Sequence, residues 1–169
     1  MSNLLVNISQ MQAVVLLAQA QSSLNLAVQA LQQAIAGAQG AGQANVTFST
    51  EALQGLVAQI QLAAEAVVQA RVRQMQQVMV RIRSEEANIR VRARQMQIAN
   101  ILVRARASLD ATVRTLQRLI TSGQAMGGTV AISVAAAQQI LAELQAVVTA
   151  VAQAIVAQQQ VIMIATAPA

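Results

Sequence analysis

The chain has 169 residues, 56% of them apolar and only 10% charged, with one Phe and no Cys, His, Lys, Trp or Tyr. Imidazole, thiolate and lysine chemistry are closed, and with them disulfides and sulfur-ligated metals, so the expectation is a non-enzymatic protein with no cofactor. A soluble domain of this size leaves about 30% of its unfolded-chain surface exposed. Ordinary composition is about a quarter charged, so too little charge is present here to cover that surface. Large apolar patches on an isolated monomer favour an obligate assembly or a membrane environment over a free monomer.

Taken in order, residues 3–37 read as one helix. Leu4, Ile8, Met11 and Val15 follow a 4-3-4 spacing, and Leu17, Leu24, Val28, Leu31 and Ile35 resume it. Met1 to Gln12 lacks the basic start of a secretory signal. Gly37, Gly40 and Gly42 are expected to end the helix. Val46-Thr47-Phe48 is a short β-like run, and Ser49 or Thr50 is the N-cap of the next helix, with Glu51 well placed in the first turn. This second helical pattern extends to about residue 122, either as one rod of about 110 Å at 1.5 Å per residue or bent at Ser84-Glu85-Glu86. Ser122 to Gly128 reads as a loop, Val130-Ala131-Ile132 as a second β-like run and Ser133 as the cap of the last helix, which reaches about Ala165. On it Ala137, Leu141, Leu144, Val148, Val151 and Ile155 form one seam, with Ile140, Val147, Ala154 and Val161 beside it. A helix apolar on more than one face is expected to be covered on more than one side.

The chain reads as an internal duplication. At an offset of 85, Gln10-Met11-Gln12 falls on Gln95-Met96-Gln97, Ser23-Leu24 on Ser108-Leu109 and Leu31-Gln32 on Leu116-Gln117. After the turn the offset becomes 84, and Val46 meets Val130, Ser49 meets Ser133 and Gln61 meets Gln145. The fold class expected is therefore all-α, a tandem repeat of two long helical hairpins (1–84 and 85–169) with short β-like segments in their turns.

Charge is distributed unequally over this plan. Every basic residue is an Arg, and all eleven lie between Arg71 and Arg118: Arg71, Arg73, Arg81, Arg83, Arg90, Arg92, Arg94, Arg104, Arg106, Arg114 and Arg118. Glu85, Glu86 and Asp110 alone oppose them there, which leaves +8 on that stretch. Gln19, Gln21, Gln29 and Gln33 occupy the places of Arg104, Arg106, Arg114 and Arg118, while Ile155, Ala157, Ala165 and Ala167 occupy those of Arg71, Arg73, Arg81 and Arg83. The inner two helices in chain order are thus basic and the outer two apolar.

Several chemical readings fail on these residues. Glu85 and Glu86 point to different helix faces, so they make ion pairs (Arg81–Glu85, Glu86–Arg90) rather than a chelate; Arg106–Asp110 and Asp110–Arg114 have the same i,i+4 spacing. The glycine clusters lack a phosphate-loop Lys and are turns. Asn7-Ile8-Ser9 and Asn45-Val46-Thr47 match the glycosylation sequon, the second in a loop. Gln interrupts both arms every few residues, which disfavours a simple transmembrane helix.

The arginines favour Arg-x-Arg pairs, whose side chains diverge by about 200° on a helix. They do not form the single polar face of a membrane-surface helix. Each pair straddles a small or β-branched residue (Val72, Ile82, Val91, Ala93, Ala105), which is expected to let the backbone approach an anionic surface with guanidinium groups on both flanks. Arg suits phosphate through its planar fork of donors. Single-strand binding needs aromatic platforms the chain lacks, so backbone contact with duplex DNA remains. A charge of +8 balances about 14 Å of duplex, about four base pairs, which suits one subunit among many.

In plan, an Arg-only basic middle at Arg71–Arg118, hairpin turns at Gly37–Ser49 and Gly123–Ser133, and an apolar final helix, the chain resembles the major coat proteins of archaeal rod-shaped and bacilliform viruses, the clavavirus type above all. The resemblance implies small helical subunits that form a helical shell around double-stranded DNA in the virion, with copies of the chain and duplex DNA as partners. The eleven arginines are the expected DNA phosphate contacts; no catalytic, cofactor or metal site is expected. Two alternatives from other classes stand beside it: a membrane-associated pore or envelope assembly, and a designed or cytoskeletal filament without nucleic acid.

Overall fold

A computed structural model describes residues 2–77 and 85–166, with side chains described for 10–74 and 89–163. The elements are α1 (Ser2–Gly40), β1 (Asn45–Ser49), α2 (Thr50–Gln77), α3 (Glu85–Ala125), β2 (Thr129–Ser133) and α4 (Val134–Thr166). The protein is all-α, as its periodicity predicts, with the two β-like runs as its described strands. Each helix packs against two others, in the cyclic order α1, α2, α3, α4 and back to α1. The result is an antiparallel four-helix bundle. Of the two arrangements open for 50–122, the single rod does not form: α2 and α3 lie side by side in opposite directions, with Val67 and Arg71 beside Leu102 and Arg106. The other, a bend at Ser84, and the 84/85 boundary between hairpins lie outside the described residues. Both halves contribute side chains to one hydrophobic core.

The core follows from alternating three- and four-residue steps, with one repeated step of four on α1 between Leu31 and Ile35. On α1 the seam runs through Ala13, Leu17, Ala20, Leu24, Ala27, Leu31, Ile35 and Ala38, with Val28 buried beside it, and on α4 through Ala137, Ile140, Leu144, Val147, Val151, Ala154 and Val161. Leu53, Ile60, Ala63, Val67 and Ala70 continue the pattern on α2, and Val91, Ile98, Leu102, Ala105, Leu109 and Leu116 on α3. An average step of 3.5 residues keeps one seam facing the bundle axis as the helices coil around each other. Each buried Leu, Ile or Val contributes about 1.5–3 kcal/mol relative to exposure, while the interleaved alanines let helices approach closely. The α4 core draws alternately on both rows read from the sequence; Leu141, Val148 and Ile155 of the first row are only partly buried. Met11 and Val15, read as part of the first seam, are instead 58% and 55% exposed, because the seam runs two positions away through Ala13 and Leu17.

Both hairpin turns sit at one end of the bundle and zip together. β1 pairs with β2 antiparallel, Asn45 opposite Ser133 and Ser49 opposite Thr129. Thr50 N donates to Gly128 O and Val134 N to Ala44 O, both at 3.0 Å, and close the ribbon at its two ends. Val46 and Phe48 are buried against the helices. Ser49 caps α2, its Oγ accepting from Ala52 N at 3.1 Å, and Ser133 caps α4 through Ala136 N at 3.1 Å. Of the glycines expected to stop the helices, Gly42, Gly127 and Gly128 adopt positive φ (69°, 97° and 96°), a region that favours Gly. α1 runs on through Gly37 and Gly40, and α3 through Gly123, since an isolated Gly costs a helix only about 1 kcal/mol. Gly123 is there for closeness: a Cβ on it would collide with the Val130 side chain and lie 2.8 Å from Thr50 Cγ2.

Candidate nucleic-acid interface

Because α2 and α3 are neighbours, the bundle has a basic side and a nearly uncharged side whose one charged residue among those described is Glu143. Of the arginines with described side chains, Arg73, Arg90, Arg92, Arg94, Arg104, Arg106, Arg114 and Arg118 are exposed and Arg71 is partly buried. Arg81 and Arg83 lie outside the described residues, as do the expected pairs Arg81–Glu85 and Glu86–Arg90.

Helix phase sorts the α3 arginines into three groups. With the core seam through Ile98, Leu102, Leu109 and Leu116 as reference, Arg90, Arg104, Arg114 and Arg118 project away from the bundle. Arg92 and Arg106 lean towards α2, and Arg94 towards α4. The grooves agree with this phase. Arg106 and Arg71 line a cleft of about 310 Å³ between α2 and α3, over Val67, Val68, Val72, Leu102 and Val103. Arg94 lines one between α3 and α4 with Gln153, Val156 and Gln160. Arg73 stands at the opposite edge of α2, on a groove shared with α1. The arginines therefore wrap the α2/α3 side rather than forming one stripe.

The residues between paired arginines behave differently from the sequence expectation. Val91 and Ala105 are 4% and 2% exposed. Arg90/Arg92 and Arg104/Arg106 thus bracket a core position, and their backbone is held inward by the bundle instead of offering a close approach to an external surface. Val72 and Ala93, by contrast, are exposed.

Neutralisation within the chain is slight. Arg106 Nε lies 3.8 Å from Asp110 Oδ2, both side chains about half exposed, and this is the one ion pair among the described residues. An exposed i,i+4 pair of this kind contributes about 0.3–0.5 kcal/mol and leaves the other guanidinium donors available. The alternative Asp110–Arg114 contact is not formed. Arg71 Nε is shielded from solvent and has no hydrogen-bond partner among the described residues, so one strong donor faces the α2/α3 cleft unused. Glu143 is drawn to α3 another way, accepting from Thr112 Oγ1 at 3.4 Å.

The opposite side is made by α1 and α4, which pack against each other. Between Gln10 and Gly40, and between Val134 and Met163, 18-residue windows reach mean hydropathies of 1.3 and 1.8, with only 33% and 28% of each window buried in the bundle. Both helices are long and apolar enough to cross a membrane, despite the glutamines that interrupt them. Their large exposed side chains include Met11, Val15, Leu26, Val156 and Met163. Met11, Val15 and Leu16 meet Val68 and Val72 in a groove of about 900 Å³ between α1 and α2.

The positions equivalent to the arginines lie mostly on the surface as well. Gln19, Gln29 and Gln33 are exposed and Gln21 and Ile155 partly buried, so the contrast in charge is between outward-facing sites and not between surface and core. No protein-family model, curated protein or solved structure matches this chain.

Proposed function

We propose that this is a non-enzymatic structural protein that assembles with copies of itself through its nearly uncharged α1/α4 side and holds duplex DNA by its phosphates through the α2/α3 arginines, as the coat subunit of a virion. The observation that carries the reading is the segregation of charge: all eleven arginines belong to the α2/α3 half of the chain, those described are at least partly solvent-accessible, and one exposed carboxylate pairs with one of them. Uncompensated guanidinium groups wrapped around a rigid bundle suit an extended polyanion of regular charge spacing. They read no bases, since contacts to phosphate carry no sequence information. The duplicated-hairpin plan belongs to the same reading: identical caps at Ser49 and Ser133 and reciprocal bonds at Thr50 and Val134 support a common ancestor for the two hairpins.

One observation favours a second reading. The exposed apolar length of α1 and α4 also suits lipid, which makes a membrane-associated assembly with the arginines at a headgroup surface the alternative. Purified particles separate the two. With one Phe and no Trp or Tyr, the protein contributes almost nothing at 280 nm, so absorbance near 260 nm reports nucleic acid. The expected outcome is DNA-containing particles that release DNA as salt rises. Particles without that absorbance overturn the proposal, and material extracted only by detergent establishes the alternative.

A further inference from the structure

One layer of the core is polar. Gln10 on α1, Gln74 on α2, Gln95 on α3 and Gln158 on α4 are each at most 4% exposed, and each occupies a position on the three–four seam of its helix. They stand at one level. Gln74 Nε2 donates to the main-chain carbonyl of Gln95 at 2.9 Å. The α1–α2 groove sets Met11 and Gln12 beside Val72 and Arg73, which levels Gln10 with Gln74. On the other side, the Thr112–Glu143 contact fixes the antiparallel register of α3 on α4, and Gln95 and Gln158 lie about equally far along their helices from it. Gln10 and Gln95 correspond at the offset of 85, Gln74 and Gln158 at 84.

The two halves of this layer are not satisfied alike: Gln74 has its amide nitrogen bonded and only its Oε1 left over. Gln158 stands in α4 where Gln74 stands in α2, yet its Nε2 makes no bond equivalent to that of Gln74; neither amide atom of Gln158 or of Gln10 has a hydrogen-bond partner among the described residues. Each buried amide group left unsatisfied carries the full penalty of its lost hydration. Against the marginal stability of a single domain, two whole amides are too many to leave unpaired. The species that satisfies them has to donate and accept within one confined layer. A cation takes only the carbonyl oxygens and an anion only the amide protons. Water does both, carries no charge, and makes about three hydrogen bonds when buried.

We infer that the four-glutamine layer is a buried hydration site in which ordered water bridges Gln158 to Gln10, in the place of the direct bond that joins Gln74 to Gln95. The site is independent of any DNA or lipid contact.

A map of the assembled full-length protein, at a resolution that shows ordered water, tests it. Density is expected between α1 and α4 at about 2.7–3.2 Å from Gln158 Nε2, with none inserted between Gln74 and Gln95. Gln158 and Gln10 in direct amide-to-amide contact overturn the inference. So does density that strengthens when sodium is exchanged for rubidium, which identifies a cation. Thermal unfolding supplies a second measurement. Gln158→Leu alone strands Gln10 and is expected to lower the Tm, whereas Gln10→Leu combined with Gln158→Leu dries the half-layer and is expected to restore the Tm to wild type or above. A double variant as unstable as the single one counts against a replaceable, water-bridged pair.

Discussion

The α1/α4 and α2/α3 sides of the bundle are built on the same core and wear opposite surfaces. Leu17 and Leu24 on α1 fill the seam as Leu102 and Leu109 do on α3, yet the outward positions that carry Arg104, Arg114 and Arg118 on α3 carry Gln19, Gln29 and Gln33 on α1. Folding and surface chemistry are therefore separable in this chain. The seam specifies the bundle through apolar burial, and the remaining positions on each helix are free to take up phosphate, lipid or another copy of the chain. Substitutions at equivalent sites of the two hairpins test that separation directly.

The largest effect is expected where the two sides are the same. Leu24→Ala and Leu109→Ala remove equivalent, fully buried side chains, and each is expected to destabilise the bundle by about 3 kcal/mol through lost burial and a residual cavity. Equilibrium denaturation of the two variants should give closely similar losses. A large loss at one site alone shows that the two halves do not share the core equally.

Next comes a site where the hairpins differ in backbone packing. Gly123→Ala drives a methyl group into Val130 and Thr50, where β2 and the start of α2 close on α3. Overpacking of this kind costs about 1–3 kcal/mol. Its counterpart Ala38 already carries a Cβ and remains only 7% exposed, so Ala38→Gly is expected to cost only the helix propensity, about 1 kcal/mol. The asymmetry between the two thermal shifts checks whether the ribbon is clamped more tightly onto the second hairpin.

Surface substitution is expected to leave the fold intact and act on binding. Arg104→Gln with Arg106→Gln gives α3 the residues that α1 already has at Gln19 and Gln21. Loss of two phosphate contacts lowers the slope of log K against log salt by about 1.8 per subunit, close to a tenfold change in retention between 50 and 200 mM salt. Salt titration of DNA release, with unchanged circular dichroism as control, measures it. An unaltered slope means that these two arginines do not touch phosphate.

Much of the bundle is legible in the residues: the heptad-like apolar spacing, the two uncharged turns, the serine caps and the confinement of arginine to residues 71–118. Three features are not. Residues 78–84 contain neither Gly nor Pro, so local propensity offers no reason for α2 and α3 to fold back on each other; burial of both seams supplies it. Pairing of β1 with β2 joins five-residue segments whose individual signals are too short to show a partner. The polar layer is hidden by residue type. Gln10, Gln74, Gln95 and Gln158 look like the glutamines that interrupt every apolar face, and only their place on the three–four seam, at matching offsets of 85 and 84, separates them from the exposed ones. The arginine pairs mislead for the same reason, since helix phase rather than spacing puts Val91 and Ala105 in the core.

The smallest effect concerns the end of the bundle where both sides meet. Ser49 and Ser133 accept from Ala52 N and Ala136 N at the same 3.1 Å, and loss of such a cap typically costs about 1 kcal/mol. Ser49→Ala begins a helix that has Glu51 in its first turn, while Ser133→Ala begins one with no acidic residue there. A carboxylate near a helix N-terminus contributes about 0.3–1 kcal/mol through the helix dipole, so α2 keeps a second source of stabilisation that α4 lacks. Ser133→Ala is therefore expected to fray its helix more than Ser49→Ala. Hydrogen exchange at the first-turn amides of each helix reads that difference, and Glu51→Gln added to Ser49→Ala is expected to erase it.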